Sequence, residues 1–489
     1  MLSGFSTVAR PRRISTNELT AANRMSQPNL LYIMTDQQRW DAMGCSGGWL
    51  ETPNLDRIAS EGVRFANCVT TSPICEPARR SLATGLYPHN TGVWNNVATT
   101  MPGDSPTWMK ALRDSGYRTS LFGKTHLHPH SGDLRDRDDL MHAYGLDDVN
   151  EIGGPRASAE VGSHMTDVWR DAGYLEAYRD DYRERFANKP YVVRPSVLPL
   201  DLYADVWVGQ RACEYLRAYE RDQPWCCWVS FGGPHEPWDT PAPWANKYNF
   251  EDMPAPIPRP RAEQPRPEGV LDRNLASPGL TPAFEEGEAQ RMRADYAGNI
   301  SLIDDQIGQI LKTLEARGEL DNTVLIFSSD HGEMNGDWGL IYKMNFLNGA
   351  VRIPLLVRTP KTIDSPIAGT VHSSPAESID IGPTFTDAAG IELPHYQFGR
   401  SLLPALDGSD HRDMAVSEFA GEAMIMSDRW KMAVNRAGES YLLFDLVDDP
   451  TEVHNLAALP EMKGIEDDLR LQLFSHIMST QLHERPPQT

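Results

Sequence analysis

The stretch TVLIFSSDHGE, residues 323–333, runs four apolar side chains, Val324 to Phe327, into two serines and then into Asp330 and His331. An uninterrupted β-branched and aromatic run of this length suits a strand buried on both faces, as in a parallel sheet. The stretch NLLYIMTDQQ, residues 29–38, has the same pattern and ends in Asp36 and Gln37. Were the two strands neighbours in a parallel sheet, two carboxylates, an amide and an imidazole would converge at its carboxyl edge, where α/β proteins place their chemistry. An isolated Asp after a strand more often caps the next turn. Recurrence of the pattern with a ligand-type neighbour favours a divalent metal site, suited to Ca2+, Mn2+ or Mg2+ rather than to a thiolate-loving ion.

Further runs, YRTSLFG (117–123), CCWVSFGG (226–233) and IPLLVRTP (353–360), alternate with helical patterns around NLDRIASEGVRF and from about Gly287 to Arg317. This alternation predicts an α/β fold: a large mixed, mostly parallel sheet sandwiched by helices. From Phe398 the runs shorten, at MIMSDRWKMAV and SYLLFDL, before a closing helix from about Pro460. The expected organisation is an N-terminal extension without fixed structure (1–24), a catalytic α/β domain (25–397) and a smaller C-terminal domain with a short antiparallel sheet and closing helix (398–489). Residues 128–200 read as polar and irregular, and 251–270 holds six prolines, too many for a helix or central strand. Both read as loops near the sheet edge.

The 68 acidic residues against 46 basic ones give a formal charge of -22, which argues against nonspecific attraction to nucleic acid or anionic lipid. An anionic substrate therefore needs a local cationic pocket. No apolar run approaches the roughly 18–20 residues of a membrane span. The six cysteines form no C-x-x-C pair and are sparse for 489 residues, so reduced thiols are expected. Arg12 and Arg13 precede ISTNELTAAN rather than an apolar segment, so the expected location is cytoplasmic. The sequence sets no oligomeric state.

Three motifs supply further candidates. GKTHLHPH places Lys124 and His126 directly after a strand end at Gly123, where an anion can sit; His128 and His130 read as a solvated continuation, since no cysteine completes a zinc pattern. GGPHEPW holds His235 between prolines just past another strand, and GLIYKMNF offers Lys343 shortly after Asp330 and His331. A lone lysine is usually a solvated charge; the constellation is what raises it.

SPICEPARRSLATGLYP, residues 72–88, matches C-x-P-x-R-x-x-L-x-T-G through Cys75, Pro77, Arg79, Leu82, Thr84 and Gly85. With NLLYIMTDQQ, LRDSGYRTSLFGKTHL, GGPHEP, DNTVLIFSSDHGE and YLLFDLVDDPTEVHNLA in the same order, the chain resembles the formylglycine-dependent sulfatase family of the alkaline phosphatase superfamily from Met25 onward. The resemblance implies an alkaline phosphatase-like fold and hydrolysis of a sulfate ester to alcohol and sulfate. It implies that a maturation enzyme oxidises Cys75 to formylglycine, whose hydrate supplies the nucleophile. Asp36, Gln37, Cys75, Asp330 and His331 would hold one divalent metal, Ca2+ first. Arg79 would brace the nucleophile, Lys124 and Lys343 would bind ester oxygens, His126 would take the proton of the second hydroxyl, and His235 with Lys343 would protonate the departing alcohol.

Asp36-Gln37 and Asp330-His331 depart from the Asp-Asp and Asp-Asn pairs of many sulfatases and resemble the choline sulfatase and phosphonate monoester hydrolase branches. Fewer carboxylates move the metal preference toward Mn2+. Glu76 puts a negative charge beside position 75 for which the motif's chemistry gives no account. A phosphonate monoester or phosphodiester, also a singly charged tetrahedral anion, is the alternative substrate; a non-catalytic binder of sulfated ligands is the second. The expected partners are a small sulfate ester and the maturation enzyme, with its specificity carried by residues 128–200 and 239–287.

Overall fold

The computed structural model describes residues 27–188, 191–260 and 264–482; the extension expected over 1–24 lies outside the described residues. In chain order the strands of the main body are β1 (Asn29–Thr35), β2 (Val63–Phe65), β3 (Cys68–Val69), β4 (Arg118–Gly123), β5 (Asp148–Glu151), β6 (Trp225–Ser230), β7 (Thr323–Ser329), β8 (Leu355–Arg358), β9 (Thr370–His372) and β10 (Ala376–Glu377). Eight of them form one sheet in the order β5-β4-β6-β1-β7-β8-β2-β9, and β3 pairs with β10 apart from it. The run β5-β4-β6-β1-β7 is parallel throughout, while β8 runs against both its neighbours. The expected neighbours are in place: β1 lies beside β7, with Thr35 opposite Ser329.

The central strands are buried on both faces, and their two-residue period divides them between two cores. Leu31, Ile33, Cys227, Val229, Leu325 and Phe327 pack on one side with residues of the helices Ala204–Ala218 and Glu288–Arg317. Leu30, Tyr32, Met34, Cys226, Trp228 and Ile326 pack on the other with Trp108 and Phe385. At roughly 1.5–3 kcal/mol for each large apolar side chain removed from water, this two-sided burial is what fixes the strand ends at one edge. All six cysteines are free, and all but Cys45 are buried.

Residues 128–200 are not an irregular loop. They hold the edge strand β5 and helices that include His164–Asp171 and Leu175–Asn188. The second of these carries LEAYRDDYRERFAN, whose dense charge masks its period in the sequence. Within the proline-rich segment the carbonyls of Pro254 and Ala255 accept from Arg293, and the Ile257 N–H donates to Asp337. Beyond Phe398, β11 (Ala415–Phe419), β12 (Glu422–Met426), β13 (Trp430–Val434) and β14 (Ser440–Asp445) form an antiparallel meander followed by the helix Lys463–Ser479. Among the described residues no helix is long and apolar enough to cross a membrane.

Candidate active site

Five adjacent parallel strands deliver the site from their carboxyl ends. Asp36 and Gln37 follow β1, Asp330 and His331 follow β7, Lys124 and His126 follow β4, His235 follows β6, and Glu151 ends β5. Asp36 and Asp330 each stand one residue past a register pair, Thr35 and Ser329, so both carboxylates arrive at the same height. The Asp36 N–H donates to Gly233 O at 3.0 Å and the Gln37 N–H to Asp330 Oδ1 at 3.0 Å, which locks the three loops together.

Cys75 is the first residue of the helix Cys75–Thr84, which Gly85 closes in the left-handed conformation with φ of 72°. The first turn spends its N–H groups locally: the Glu76 N–H donates to Asn96 Oδ1 at 2.9 Å, Pro77 has none, and the Ala78 N–H donates to Ile74 O at 3.2 Å. Cys75 is buried, with Sγ 3.0 Å from His331 Nε2 and 4.0 Å from Asp36 Oδ1. One turn on, Arg79 is buried completely: Nε donates to Asp330 Oδ2 at 2.7 Å, one terminal nitrogen to Asp36 Oδ2 at 3.0 Å, and the other to Lys124 O and Ser230 Oγ. Its hydrogen bonds therefore brace the two carboxylates rather than the thiol.

Cations crowd these anions. Lys124 Nζ donates to Asp36 Oδ2 at 2.5 Å; Lys343 Nζ donates to Gln37 Oε1 and lies 3.0 Å from His235 Nε2. Burial drives the Cys75 thiol up, but Lys124, Lys343 and His331 outweigh it and hold the pKa well below the ordinary range. Burial likewise opposes the charge of Asp36, and Lys124, His235 and Arg79 keep its carboxyl far below the usual value. His126 is pushed down to about 4, by burial first and by Lys124 and His130 further, against the pull of Cys75. Its ring is thus a neutral proton acceptor near neutral pH. His235 Nδ1 donates to Glu236 O at 2.8 Å, which turns Nε2 toward Lys343. His126, His235 and Arg156 are the incompletely buried members, and they mark the side open to solvent.

Asp36, Cys75, Asp330 and His331 each offer a donor atom within 4.8 Å of the others. His331 Nδ1 donates to Gly332 O at 3.0 Å, so Nε2 is the nitrogen turned to this cluster, the orientation a metal-ligating histidine takes. Two carboxylates, one imidazole and the side chain at 75 fit a hard or borderline divalent ion. Gln37 has its Nε2 on Glu236 Oε2 at 2.8 Å and on Glu333. The ionised Glu236 carboxylate only accepts, so its bond with Nε2 turns Oε1 away, toward Lys343.

Sequence reasoning missed several groups around the site. Glu236 and Glu333, inside motifs quoted above, hold the Gln37 amide; burial and the nearby Glu236 push Glu333 up to about 7, while Arg156, His235 and Lys343 hold Glu236 down to about 2 against burial. A carboxylate within a few residues of a strand-end ligand was the signal available. Arg156 pairs with Glu236, and its guanidinium lies 4.9 Å from the Phe186 ring and 5.2 Å from that of Tyr342. Gly154, with φ of 73°, lets backbone run against Lys124: a Cβ there would stand 2.9 Å from Lys124 Cδ. The 128–200 segment thus forms a wall of the site.

Two expectations need correction. His128 and His130 are not solvated: His128 is buried against Glu151 at 2.8 Å, and His130 lies inside the same cluster with its ring on His126. They were misread because Glu151, 23 residues past His128, is invisible to local spacing. Glu76 does not face the nucleophile. It is buried, pairs with Arg80 one turn on, and accepts from the N–H groups of Val97, Ala98 and Thr99, tying the 97–99 strand of chain to the helix.

A model of the sulfatase family matches residues 28–391, and one described as N-sulphoglucosamine sulphohydrolase, C-terminal, matches residues 336–479. The chain is 32% identical over 505 residues to the multifunctional alkaline phosphatase superfamily protein PehA of Trinickia caryophylli, covering 93% of this chain and 96% of that one. It is 31% identical over 475 residues to the choline-sulfatase of Rhizobium meliloti, covering 92% and 85%. Among solved structures it is similar to the phosphonate monoester hydrolase of Agrobacterium radiobacter, with a TM-score of 0.74, 26% identity, and coverage of 93% of this chain and 96% of that one. With the C-x-P-x-R signature seated at a helix start against the strand-end cluster, and the family model matching most of its length, this chain belongs to the sulfatase family of the alkaline phosphatase superfamily.

Proposed function

We propose that the chain hydrolyses a small sulfate ester to alcohol and sulfate at the cluster around Cys75. The observation that carries this reading is the meeting of Cys75 Sγ, Asp36, Asp330 and His331 within 4.8 Å, ringed by Lys124, Lys343 and Arg79. Oxidation of Cys75 to formylglycine by a maturation enzyme would supply the attacking hydroxyl, in the hydrated aldehyde. A single divalent ion, Ca2+ first with Mn2+ or Mg2+ as alternatives, would be held by Asp36, Gln37, Asp330, His331 and the side chain at 75, and would supply positive charge beside that hydroxyl.

The chain's own residues do the rest. Arg79 aims both ligand carboxylates, since its fork bonds each of them. Lys124 and Lys343 stabilise charge growing on the ester oxygens in a site sheltered from water, where fixed charges count most. His126, neutral and beside Cys75, takes a proton from the side chain at that position. Lys343 Nζ and His235 Nε2, 3.0 Å apart, share the proton that the departing alcohol takes up.

A phosphonate monoester is the second reading. It carries the same single negative charge, and Gln37 and His331, in place of further carboxylates, leave a less negative site for it. The likeness to the Agrobacterium hydrolase supports it. Turnover of para-nitrophenyl sulfate and para-nitrophenyl phenylphosphonate by matured, metal-loaded protein separates the two. Preference for the sulfate is expected; a large preference for the phosphonate would establish the second reading instead, and turnover of neither, with the aldehyde present, would leave only the binding of sulfated ligands.

A further inference from the structure

The run His126-Leu127-His128-Pro129-His130 holds more histidine than the chemistry at Cys75 uses. Glu151, buried at the end of β5 and opposite Gly123 in register, collects the surplus. Its Oε2 lies 2.8 Å from His128 Nε2, and its Oε1 accepts from the Thr125 hydroxyl and lies 3.5 Å from His130 Nε2, in ion-pair range but outside hydrogen-bond geometry. His128 Nδ1 faces Pro129 O at 3.0 Å. Both oxygens only accept, so His128 carries a proton on each nitrogen and Glu151 is its counterion. The pair is thereby rigid.

His130 is fixed on this base. Its Nδ1 donates to Gly153 O at 3.0 Å, and its ring lies nearly parallel to that of His126, with centroids 4.9 Å apart and planes at 26°. His126 itself has positive φ, 58°, and its Nδ1 is buried with no hydrogen-bond partner. Most functional histidines are oriented by a bond at the nitrogen that does not react. Here that bond is missing, and the face of another imidazole stands in its place.

We propose that His130, anchored by Gly153 and packed beside Glu151, is a positioning residue that holds the His126 ring against the side chain at position 75. The inference rests on His126 acting there as base. A base that can swing loses its alignment with the proton it takes, and misplacement of about 1 Å costs on the order of 10²-fold in rate. The loss falls on kcat and not on KM, because the lysines that grip the anion are untouched.

The test is a double-mutant cycle between His130→Ala and His126→Ala on matured, metal-loaded enzyme with the two para-nitrophenyl esters. His130→Ala is expected to lower kcat with KM and melting temperature little changed, to have no further effect once His126 is alanine, and to be partly rescued by His130→Phe, which restores a ring face. His130→Gln replaces the alanine variant if the latter does not fold. Equal losses with and without His126, or no loss at all, would overturn the proposal. If the wild type turns over neither ester, the proposed function fails, and carbethoxylation of His126 in the unmatured chain, mapped by peptide mass spectrometry, decides this inference alone: His130→Ala should speed it, and an unchanged rate would refute the packing role.

Discussion

Arg79 bonds Asp36 and Asp330 together, with Nε 2.7 Å from one carboxylate and a terminal nitrogen 3.0 Å from the other. A planar fork can span two strand ends; a lysine ammonium is a point charge and cannot. Arg79→Lys should therefore leave Asp330 without its arginine partner, with only the backbone N–H groups of Gln37 and His331 on Oδ1, while Lys124 still holds Asp36. Stranding a buried charge costs about 3–5 kcal/mol. Denaturant unfolding of the metal-free chain should show a loss approaching that size, and titration with Mn2+ should show weaker binding. Unchanged values in both would remove Arg79 from its bracing role.

His235 is aimed by Glu236 O toward Lys343, and the proposed function makes it, with Lys343, the proton donor to the leaving alcohol. His235→Ala should slow alkyl sulfates far more than para-nitrophenyl sulfate, because only a poor leaving group needs an acid, a gain worth about 10²–10⁴-fold. Steady-state kcat on the two ester classes checks it. Equal losses would mean the residue only shapes the pocket.

Glu76 is a fastener in this structure. Glu76→Gln keeps the shape but weakens charge-assisted bonds to three backbone N–H groups and Arg80. Such bonds are worth about 1.5–3 kcal/mol each and are not additive. Stability should fall by about 2 kcal/mol, while turnover per aldehyde formed stays at the wild-type level. A fall in turnover normalised this way would bring Glu76 into the chemistry.

Asp239, in the same segment after β6 as His235, is buried and accepts from Ser196 and Tyr203. Burial first, and the nearby Asp295, push its pKa up to about 8, against Arg185; burial pushes Asp295 up to about 7. A carboxyl raised above its unfolded value of 3.8 is held protonated by the fold. Its stabilisation is complete below that value and is lost as pH rises through the folded pKa. Asp239→Asn should flatten the fall in melting temperature between pH 5 and 8. A wild-type profile retained by the variant would show that Asp239 is ionised throughout.

Strand ends were legible in the sequence because both-face burial demands unbroken apolar runs, so Asp36, Gln37, Asp330 and His331 announced themselves by where those runs stop. The reversal of β8 was not legible, since LLVR buries the same side chains in either direction. The surroundings of the site were equally hidden. Glu151 meets His128 only because β5 returns beside β4, Glu76 turns away from Cys75 only because residues 97–99 offer it N–H groups, and Arg79 finds Asp330 across 251 positions. Local spacing gives the residue types of a site; it says little about which neighbour each one answers to.

The central claim is that the encoded Cys75 thiol is the precursor of the nucleophile. It is tested most directly by the mass of the tryptic peptide holding residue 75 in active protein produced with a formylglycine-generating enzyme, followed as that enzyme is titrated. The account predicts the aldehyde at position 75, trapped by a hydrazide, with ester turnover rising in proportion to its fraction. Full turnover from a chain that carries only the thiol at Cys75 would contradict it.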